Sequence, residues 1–295
     1  MSFVLGIDIG GTGVKAALVD EEGQLHEQLT LSSEGQRDSV LRSLRMIVTE
    51  LGEKAEAIGI GTAGSVDVEK KRITEISGNI EDWAGTEVCD ILSQWTDRPM
   101  MLENDGNVAL LAEVTYGAAK GAKSALMLTL GTGLGGAFFS RGELLHGAHT
   151  KGTEFGHMIL HPGGRPCFCG QRGCYERYIS GTALQENYRE ETGQLLSGVE
   201  IMQISYRDVA ARQSMRRFMH DLALALASLK NAFDPEVIVL GGGVVKSAPM
   251  WWDECMALVA ETVNCPHELD IRPAAFQNDA GILGAAALAR RLVES

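Results

Sequence analysis

Three cysteines and one histidine in the middle of the chain have the types and spacing of metal ligands. Cys167, Cys169 and Cys174 fall within a single turn-rich stretch, and His157 precedes them by ten residues. This spacing is typical of a tetrahedral zinc site, with His157 as the fourth ligand and His161 as the alternative. Four protein ligands leave no open position, so the site would be structural rather than hydrolytic.

A glycine-rich stretch near the N-terminus carries groups suited to phosphate. Asp8 is followed by Gly10, Gly11, Thr12 and Lys15. Glycines let backbone N–H groups approach phosphate oxygens, and Thr12 and Lys15 add side-chain donors. Asp8 could orient a hydrated magnesium ion. An ordinary glycine turn is the alternative interpretation of this loop.

A second stretch of the same kind contains Gly131, Thr132 and Gly133, followed by two more glycines. It looks like a dinucleotide fingerprint, but that fingerprint requires a helix next, whereas residues 137–139 continue as a strand. A third glycine turn, which includes Gly242 and Gly243, follows a buried strand late in the chain. Two phosphate hairpins and a late glycine turn together are far more specific than any one of them.

Several carboxylates accompany these loops. Asp105, in the tripeptide that begins with Glu103, could act as a general base on a substrate hydroxyl. A helix cap is the alternative, because Asn104 and Asp105 are both favoured at helix N-termini. Glu154 and Glu176 flank the predicted zinc loop, where they could bind sugar hydroxyls or simply be solvated surface acids.

The elements that would position these groups can be read from hydrophobic patterning. Strands are predicted over residues 3–9, 14–19, 25–31, 57–60, 99–103, 125–130, 137–139 and 237–240. Helices are predicted over residues 38–53, 104–116, 213–232 and 279–293. The order strand, glycine loop, strand occurs twice, about 125 residues apart, which suggests an internal duplication.

Composition narrows the function further. The 295 residues include 35 glycines and carry a formal net charge of −13. A protein this acidic lacks the basic footprint of a nucleic-acid binder, so we expect no nucleic-acid partner. The six cysteines and the absence of a signal peptide or membrane span predict a cytoplasmic protein without a membrane partner.

These motifs together resemble the ROK family of bacterial sugar kinases and regulators, within the actin-like ATPase superfamily. The resemblance covers nearly the whole chain, and its zinc signature is the most specific part. It implies an α/β fold of two similar actin-like (ribonuclease H-like) ATPase domains with a cleft between them. The implied domains are residues 1–117 and 118–279, with the C-terminal helix 280–295 packed back on the first.

The resemblance also assigns roles. Asp105 would be the catalytic base. Further sugar contacts would come from Asn79, Asn104, Glu154, His157 and Glu176, with His157 also ligating zinc. The two glycine hairpins would hold the phosphates and Gly242 and Gly243 the adenosine. Two stretches depart from the family pattern, residues 61–64 and 77–78, and both lie near the sugar pocket in the family.

The sequence therefore predicts a homodimeric kinase that uses ATP, magnesium and structural zinc to phosphorylate a hexose at its 6-hydroxyl, with glucose the first choice. An N-acetylmannosamine or N-acetylglucosamine kinase is the alternative substrate class. A sugar-responsive binding protein without catalysis is the alternative outside enzymes.

Overall fold

The computed structural model describes residues 2–75 and 80–294 of the chain. Its strands are β1 (Val4–Ile9), β2 (Gly13–Val19), β3 (Leu25–Ser32), β4 (Ile58–Thr62), β5 (Ser65–Asp67), β6 (Arg72–Glu75), β7 (Met100–Asn104), β8 (Ser124–Leu130), β9 (Leu134–Ser140), β10 (Glu143–Leu144), β11 (Val237–Gly241) and β12 (Ile271–Pro273). Its α-helices are α1 (Arg37–Leu51), α2 (Val88–Leu92), α3 (Asp105–Thr115), α4 (Glu176–Ile179), α5 (Gly181–Thr192), α6 (Gly198–Ile204), α7 (Val209–Phe233), α8 (Trp252–Thr262) and α9 (Ala280–Glu294). Short 3₁₀ helices span Gly52–Lys54, Phe155–His157, Gly243–Met250 and Pro266–Glu268.

The chain divides into two compact units. The first comprises Met1–Gly121, Leu144–Gly152 and Ala275–Ser295, and the second comprises Ala122–Glu143 and Thr153–Ala274. The domains implied by the resemblance, residues 1–117 and 118–279, would put residues 144–152 in the second domain, whereas their contacts group them with the first unit. A short segment that returns to a distant unit has no pattern of its own from which it could have been assigned.

The first unit is built on a five-stranded sheet in the order β3-β2-β1-β4-β7. The β1–β2 and β2–β3 pairs are antiparallel, whereas β1, β4 and β7 run parallel. Parallel strands end at the same edge of a sheet, so the residues that follow β1, β4 and β7 share that edge. In this unit the side chain of Asp8 and the tripeptide starting at Glu103 therefore occur at one edge.

Helix α9 packs on the first unit through small and apolar side chains. Ile282, Leu283 and Ala286 join Val4 and Ala17 in one buried cluster. This burial of apolar surface holds the end of the chain against strands from its beginning.

The second unit repeats the arrangement of the first. Its five-stranded sheet has the order β10-β9-β8-β11-β12, in which β8 and β9 form an antiparallel hairpin and β8, β11 and β12 are parallel. The long helix α7 contributes Phe218, Leu222 and Leu226 to the main buried cluster of this unit. Both sheets thus contain a hairpin joined to two parallel strands; the repeated strand–glycine loop–strand pattern predicted the hairpins and the duplication, but not the parallel strands.

Every strand and helix predicted from patterning is present, with ends that differ by a few residues. Among the described residues, none of the helices combines the length and apolar character needed to cross a membrane.

Candidate functional site

Two carboxylates lie at the carboxyl ends of the parallel strands of the first unit. Asp8 is the penultimate residue of β1, and Asp105 is the first residue of α3, directly after β7. The Asp105 carboxylate accepts a hydrogen bond from the backbone N–H of Gly106 at 2.8 Å. Although this side chain keeps solvent-accessible surface, crowding by protein atoms desolvates it, and together with the nearby Asp8 charge this raises its pKa to about 6.

The surroundings of Asp8 come from both ends of the chain. Asp8 faces Lys15 across the β1–β2 hairpin, and burial raises the Asp8 pKa while the Lys15 charge opposes that shift. Helix α9 begins against the carboxylate, because a Cβ placed on Gly281 would lie 2.4 Å from the Asp8 Cγ. The sequence motif did not reveal this contact between α9 and Asp8. Lys15 Nζ itself lies 3.5 Å from the carbonyl oxygen of Asn278.

The residue beside the predicted base caps its helix. Asn104 Oδ1 accepts hydrogen bonds from the backbone N–H groups of Gly106 and Asn107, and Asn104 Nδ2 donates to the Gly64 carbonyl at 2.9 Å. The helix-cap interpretation of this tripeptide is therefore correct for Asn104. The cap fixes the start of α3, and with it the position of the Asp105 carboxylate.

Glu103 stabilises the same turn through hydrogen bonds to its buried carboxylate. Its side chain is buried, with Oε1 accepting from the backbone N–H of Asn104 at 2.7 Å and from Asn107 Nδ2 at 2.9 Å. Glu103 Oε2 lies 2.6 Å from His146 Nε2, and His146 belongs to the segment Leu144–Gly152 of this unit. Neither residue was singled out as a positioning pair from the sequence.

The first glycine hairpin is closed by its own backbone. The Gly10 N–H donates to the Gly13 carbonyl at 2.9 Å. Ser33 holds the tip, since its hydroxyl donates to the Gly11 carbonyl at 2.7 Å and its N–H donates to the Thr12 carbonyl. The Thr12 side chain is exposed at this tip, where its hydroxyl can meet a ligand.

The second glycine hairpin borders a cavity of about 290 Å³ in the second unit. Gly131 and Thr132 from the hairpin and Gly243 from the late glycine turn all line it, so the structure brings these three predicted nucleotide contacts together. Gly242 directly precedes the 3₁₀ helix Gly243–Met250. Gly133 is not among the lining residues. Other lining residues, which sequence reasoning missed, are Gly181, Thr182, Gln185, Ser197, Gly198, Val199, Met202, Val244 and Ser247.

The missed residues had a partial signal in the sequence. Ser197 caps α6 in a capping box with Glu200, a spacing that can be recognised without a structure. The cavity lining therefore includes Gly181 and Thr182 from the start of α5, and Ser197, Gly198 and Val199 from the start of α6. Only the fold shows that these helices start beside the hairpin.

The predicted metal ligands form one cluster in the second unit. The ligand atoms of His157, Cys167, Cys169 and Cys174 all lie within 4.8 Å of one another. Two of the separations are 3.7 Å, from Cys167 Sγ to His157 Nδ1, and 3.6 Å, from Cys169 Sγ to Cys174 Sγ. The alternative ligand His161 instead places its Nε2 2.8 Å from Asp221 Oδ1.

The cluster fits a tetrahedral metal ion. Sulfur ligands at about 2.3 Å from zinc are about 3.8 Å apart in a tetrahedron, close to the separations found here. Desolvation and the neighbouring thiols raise the pKa of Cys174 to about 12. At Cys169, desolvation is outweighed by hydrogen bonds from the Gln171 N–H and the neighbouring thiols, which lower the pKa of that thiol, and a bound cation would favour the thiolate form of the ligands.

The remaining predicted sugar contacts are spread over the chain. Glu154 is exposed and immediately precedes the 3₁₀ helix Phe155–His157, which carries the metal ligand His157. Glu176 begins α4, where its Oε2 accepts a hydrogen bond from the backbone N–H of Leu134 at 3.0 Å. Asn79 lies outside the residues that the structure describes.

Comparisons with known proteins agree on one family. The ROK family model matches residues 4–292. The glucokinase of Thermotoga maritima is 32% identical over 98% of this chain and 98% of its own. The ROK hexokinase of Thermus thermophilus matches with a TM-score of 0.90 at 33% identity, over 99% of both chains.

A third relative was solved with ligands. The ROK family glucokinase of Streptomyces griseus, in complex with glucose and AMPPNP, matches with a TM-score of 0.80 at 30% identity, over 98% of this chain and all of its own. These matches confirm the predicted fold class, the two-domain α/β fold of the actin-like ATPases. From the family match along nearly its whole length and from these relatives, we conclude that the chain belongs to the ROK family.

Proposed function

We propose that this protein is an ATP-dependent hexose kinase that phosphorylates the 6-hydroxyl of a sugar, with glucose as the preferred acceptor. The observation that carries the proposal is Asp105, a carboxylate of raised pKa at the end of a parallel strand in a ROK chain. The glucokinase and hexokinase relatives, one of them bound to glucose and AMPPNP, support the same activity.

Asp105 would remove the proton from the sugar hydroxyl, and the resulting oxygen nucleophile would attack the γ-phosphate in line. A carboxylate with a pKa of about 6 is still ionised at neutral pH and is a stronger base than an ordinary aspartate. The side chains proposed to bind the other sugar hydroxyls are Asn79, Asn104, Glu154, His157 and Glu176. Since Asn104 already caps α3, its amide would use its second N–H for the sugar.

The nucleotide would occupy the cavity of the second unit. Its lining of glycine backbone and threonine hydroxyls suits the phosphates, and Val199, Met202 and Val244 offer apolar surface to a base. Gly10, Gly11, Thr12 and Lys15 of the first hairpin, together with Thr132 and Gly133 of the second, would steady the charge of the transferred phosphoryl group.

Two metal ions complete the proposal. Asp8 suits the water shell of a magnesium ion, because a carboxylate with a pKa raised by burial gains from a nearby cation. Magnesium bound with the nucleotide would supply charge neutralisation on the phosphates. Zinc is proposed for the Cys₃His cluster, where it would fix the loop that presents His157 and Glu176; ligation through Nδ1 leaves His157 Nε2 to face a sugar hydroxyl.

A panel of sugars tests the activity. Turnover of ATP should be measured with glucose, mannose, fructose, N-acetylglucosamine and N-acetylmannosamine, and the sugars compared by kcat/KM. We expect glucose to have the highest value. A higher kcat/KM for an N-acetyl sugar would establish the alternative, an N-acetylmannosamine or N-acetylglucosamine kinase. That alternative is kept because residues 61–64 and 77–78 depart from the family pattern near the sugar pocket. Tight sugar binding without turnover would indicate a sugar-responsive binding protein.

We also propose a homodimer, on the basis of the family resemblance. Sedimentation velocity at micromolar concentration should give about twice the chain mass of 31.7 kDa. A single species at the monomer mass would contradict it.

A further inference from the structure

One short segment holds the second glycine hairpin at three points. We call residues 176–182 the clamp segment and residues 131–136 the hairpin. The Leu134 N–H donates to Glu176 Oε2 at 3.0 Å. The Gly181 N–H donates to the Gly131 carbonyl at 2.7 Å, and the Thr182 hydroxyl donates to the Thr132 carbonyl at 2.8 Å.

Glu176 makes its contact through a side-chain carboxylate, which also packs against Gly133. A Cβ placed on Gly133 would lie 2.3 Å from Glu176 Oε2, so the carboxylate packs directly on the face of this glycine. A hydrogen bond from a backbone N–H to a carboxylate is roughly twice as strong as one between neutral groups. Unlike Thr182, Glu176 does not line the cavity, so its effect on the cavity passes through the hairpin.

From this geometry we infer that Glu176 is a positioning residue for the nucleotide. It fixes the hairpin in the conformation in which Gly131 and Thr132 line the cavity, and this inference rests on the proposal that the cavity binds ATP. The family resemblance assigns Glu176 to the sugar alone. Its two oxygens allow both roles, since Oε2 holds Leu134 while Oε1 can face a hydroxyl.

The energetic reason is preorganisation. A glycine-rich hairpin has many accessible conformations, and a ligand that needs one of them has an apparent Kd equal to its intrinsic Kd divided by the fraction of molecules in that conformation. The clamp segment starts two residues after the metal ligand Cys174, so the cluster anchors the chain from which Glu176 extends.

Calorimetric titration of AMPPNP with magnesium, without sugar, tests the inference. Loss of a charged hydrogen bond should raise the Kd of Glu176→Ala by about tenfold. Glu176→Gln keeps an acceptor oxygen and should recover most of the wild-type affinity. Glu191→Ala is the matched control, because Glu191 lies on the neighbouring helix α5 and pairs only with Arg217 among the described contacts, so its Kd should not change.

A second variant keeps the test valid if Glu176→Ala folds poorly. Gly133→Ala would push the carboxylate off the hairpin and should raise the AMPPNP Kd by a similar factor. In the double variant Glu176→Ala, Gly133→Ala the two effects should not add, because the clash and the hydrogen bond involve the same oxygen. Metal content per chain should stay at the wild-type level in all of these proteins.

Two results would overturn the inference, and they have different meanings. If Glu176→Ala binds AMPPNP as tightly as the wild type and only its KM for sugar rises, Glu176 acts on the sugar alone. If the wild-type protein does not bind AMPPNP at all, the proposed nucleotide site is wrong and the inference falls with it.

Discussion

His146 Nε2 lies 2.6 Å from the buried carboxylate of Glu103, and Glu103 in turn holds the backbone N–H of Asn104 beside the proposed base. The two partners are 43 residues apart in sequence. The pair therefore ties the returning segment Leu144–Gly152 to the turn that carries Asp105.

Replacing His146 should weaken this turn. His146→Ala removes a charged hydrogen bond from a buried carboxylate, so we expect a loss of about 1–3 kcal/mol in the free energy of unfolding and a lower kcat. The comparison is His149→Ala, an exposed histidine of the same segment, which should change neither. Equal thermal midpoints and kcat values for the two variants would show that the pair is dispensable.

The raised pKa of Asp105 predicts a pH dependence. The base must be ionised to accept a proton, and its pKa is about 6. The value of kcat/KM should therefore be constant above pH 7 and fall about tenfold per pH unit below pH 6. An acidic limb centred near pH 4, the ordinary aspartate range, would show that this carboxylate is not desolvated in the free enzyme.

The Cys₃His cluster predicts about one zinc ion per chain. Elemental analysis should find it in the purified protein, and it should be lost from Cys169→Ser and Cys174→Ser together with a marked fall in the thermal midpoint. Cys265→Ser changes a half-buried thiol outside the cluster and should keep the metal. A fully stable, metal-free wild-type protein would remove zinc from the account.

Gly281 leaves no room for a larger side chain beside the Asp8 carboxylate. A Cβ at this position would meet the Asp8 carboxylate at 2.4–2.7 Å, so Gly281→Ala should move that side chain or the start of α9. We expect a KM for magnesium–ATP raised severalfold, since Asp8 is proposed to order the water shell of the metal. Gly193→Ala replaces the left-handed glycine at the end of α5 (φ 73°), where a Cβ would meet nothing within 4 Å. Its cost is backbone strain alone, so it gauges a loss of stability unrelated to Asp8. An unchanged KM for magnesium–ATP in Gly281→Ala would show that Asp8 does not order the water shell of the magnesium ion.

Local patterns predicted the parts of this molecule that local chemistry determines. The two strand–glycine loop–strand units follow from alternation and glycine content, and the metal cluster follows from ligand spacing between Cys167 and Cys174. Asn104 could be recognised as a helix cap because capping depends on the residue type and the next three N–H groups.

Contacts between distant residues could not be predicted in this way. Gly281 against Asp8, and His146 against Glu103, depend on how sheets and helices pack, and a single sequence carries no pattern for them. The same is true of the clamp on the second hairpin. The sequence shows Glu176 only as a carboxylate beside the predicted zinc loop, whereas its bond to Leu134 joins residues 42 apart.

The central claim is that Asp105 is the catalytic base, and Asp105→Asn tests it most directly. The amide keeps the shape of the side chain but cannot accept the hydroxyl proton, so we predict that calorimetric sugar binding stays close to wild type while kcat falls by a factor of about 10² or more. Because desolvation penalises the ionised carboxylate, the variant should also be at least as heat-stable as the wild type at pH 7.5. Asp90→Asn, an exposed aspartate of the same unit, should keep normal turnover. A kcat for Asp105→Asn near that of the wild type would contradict the account.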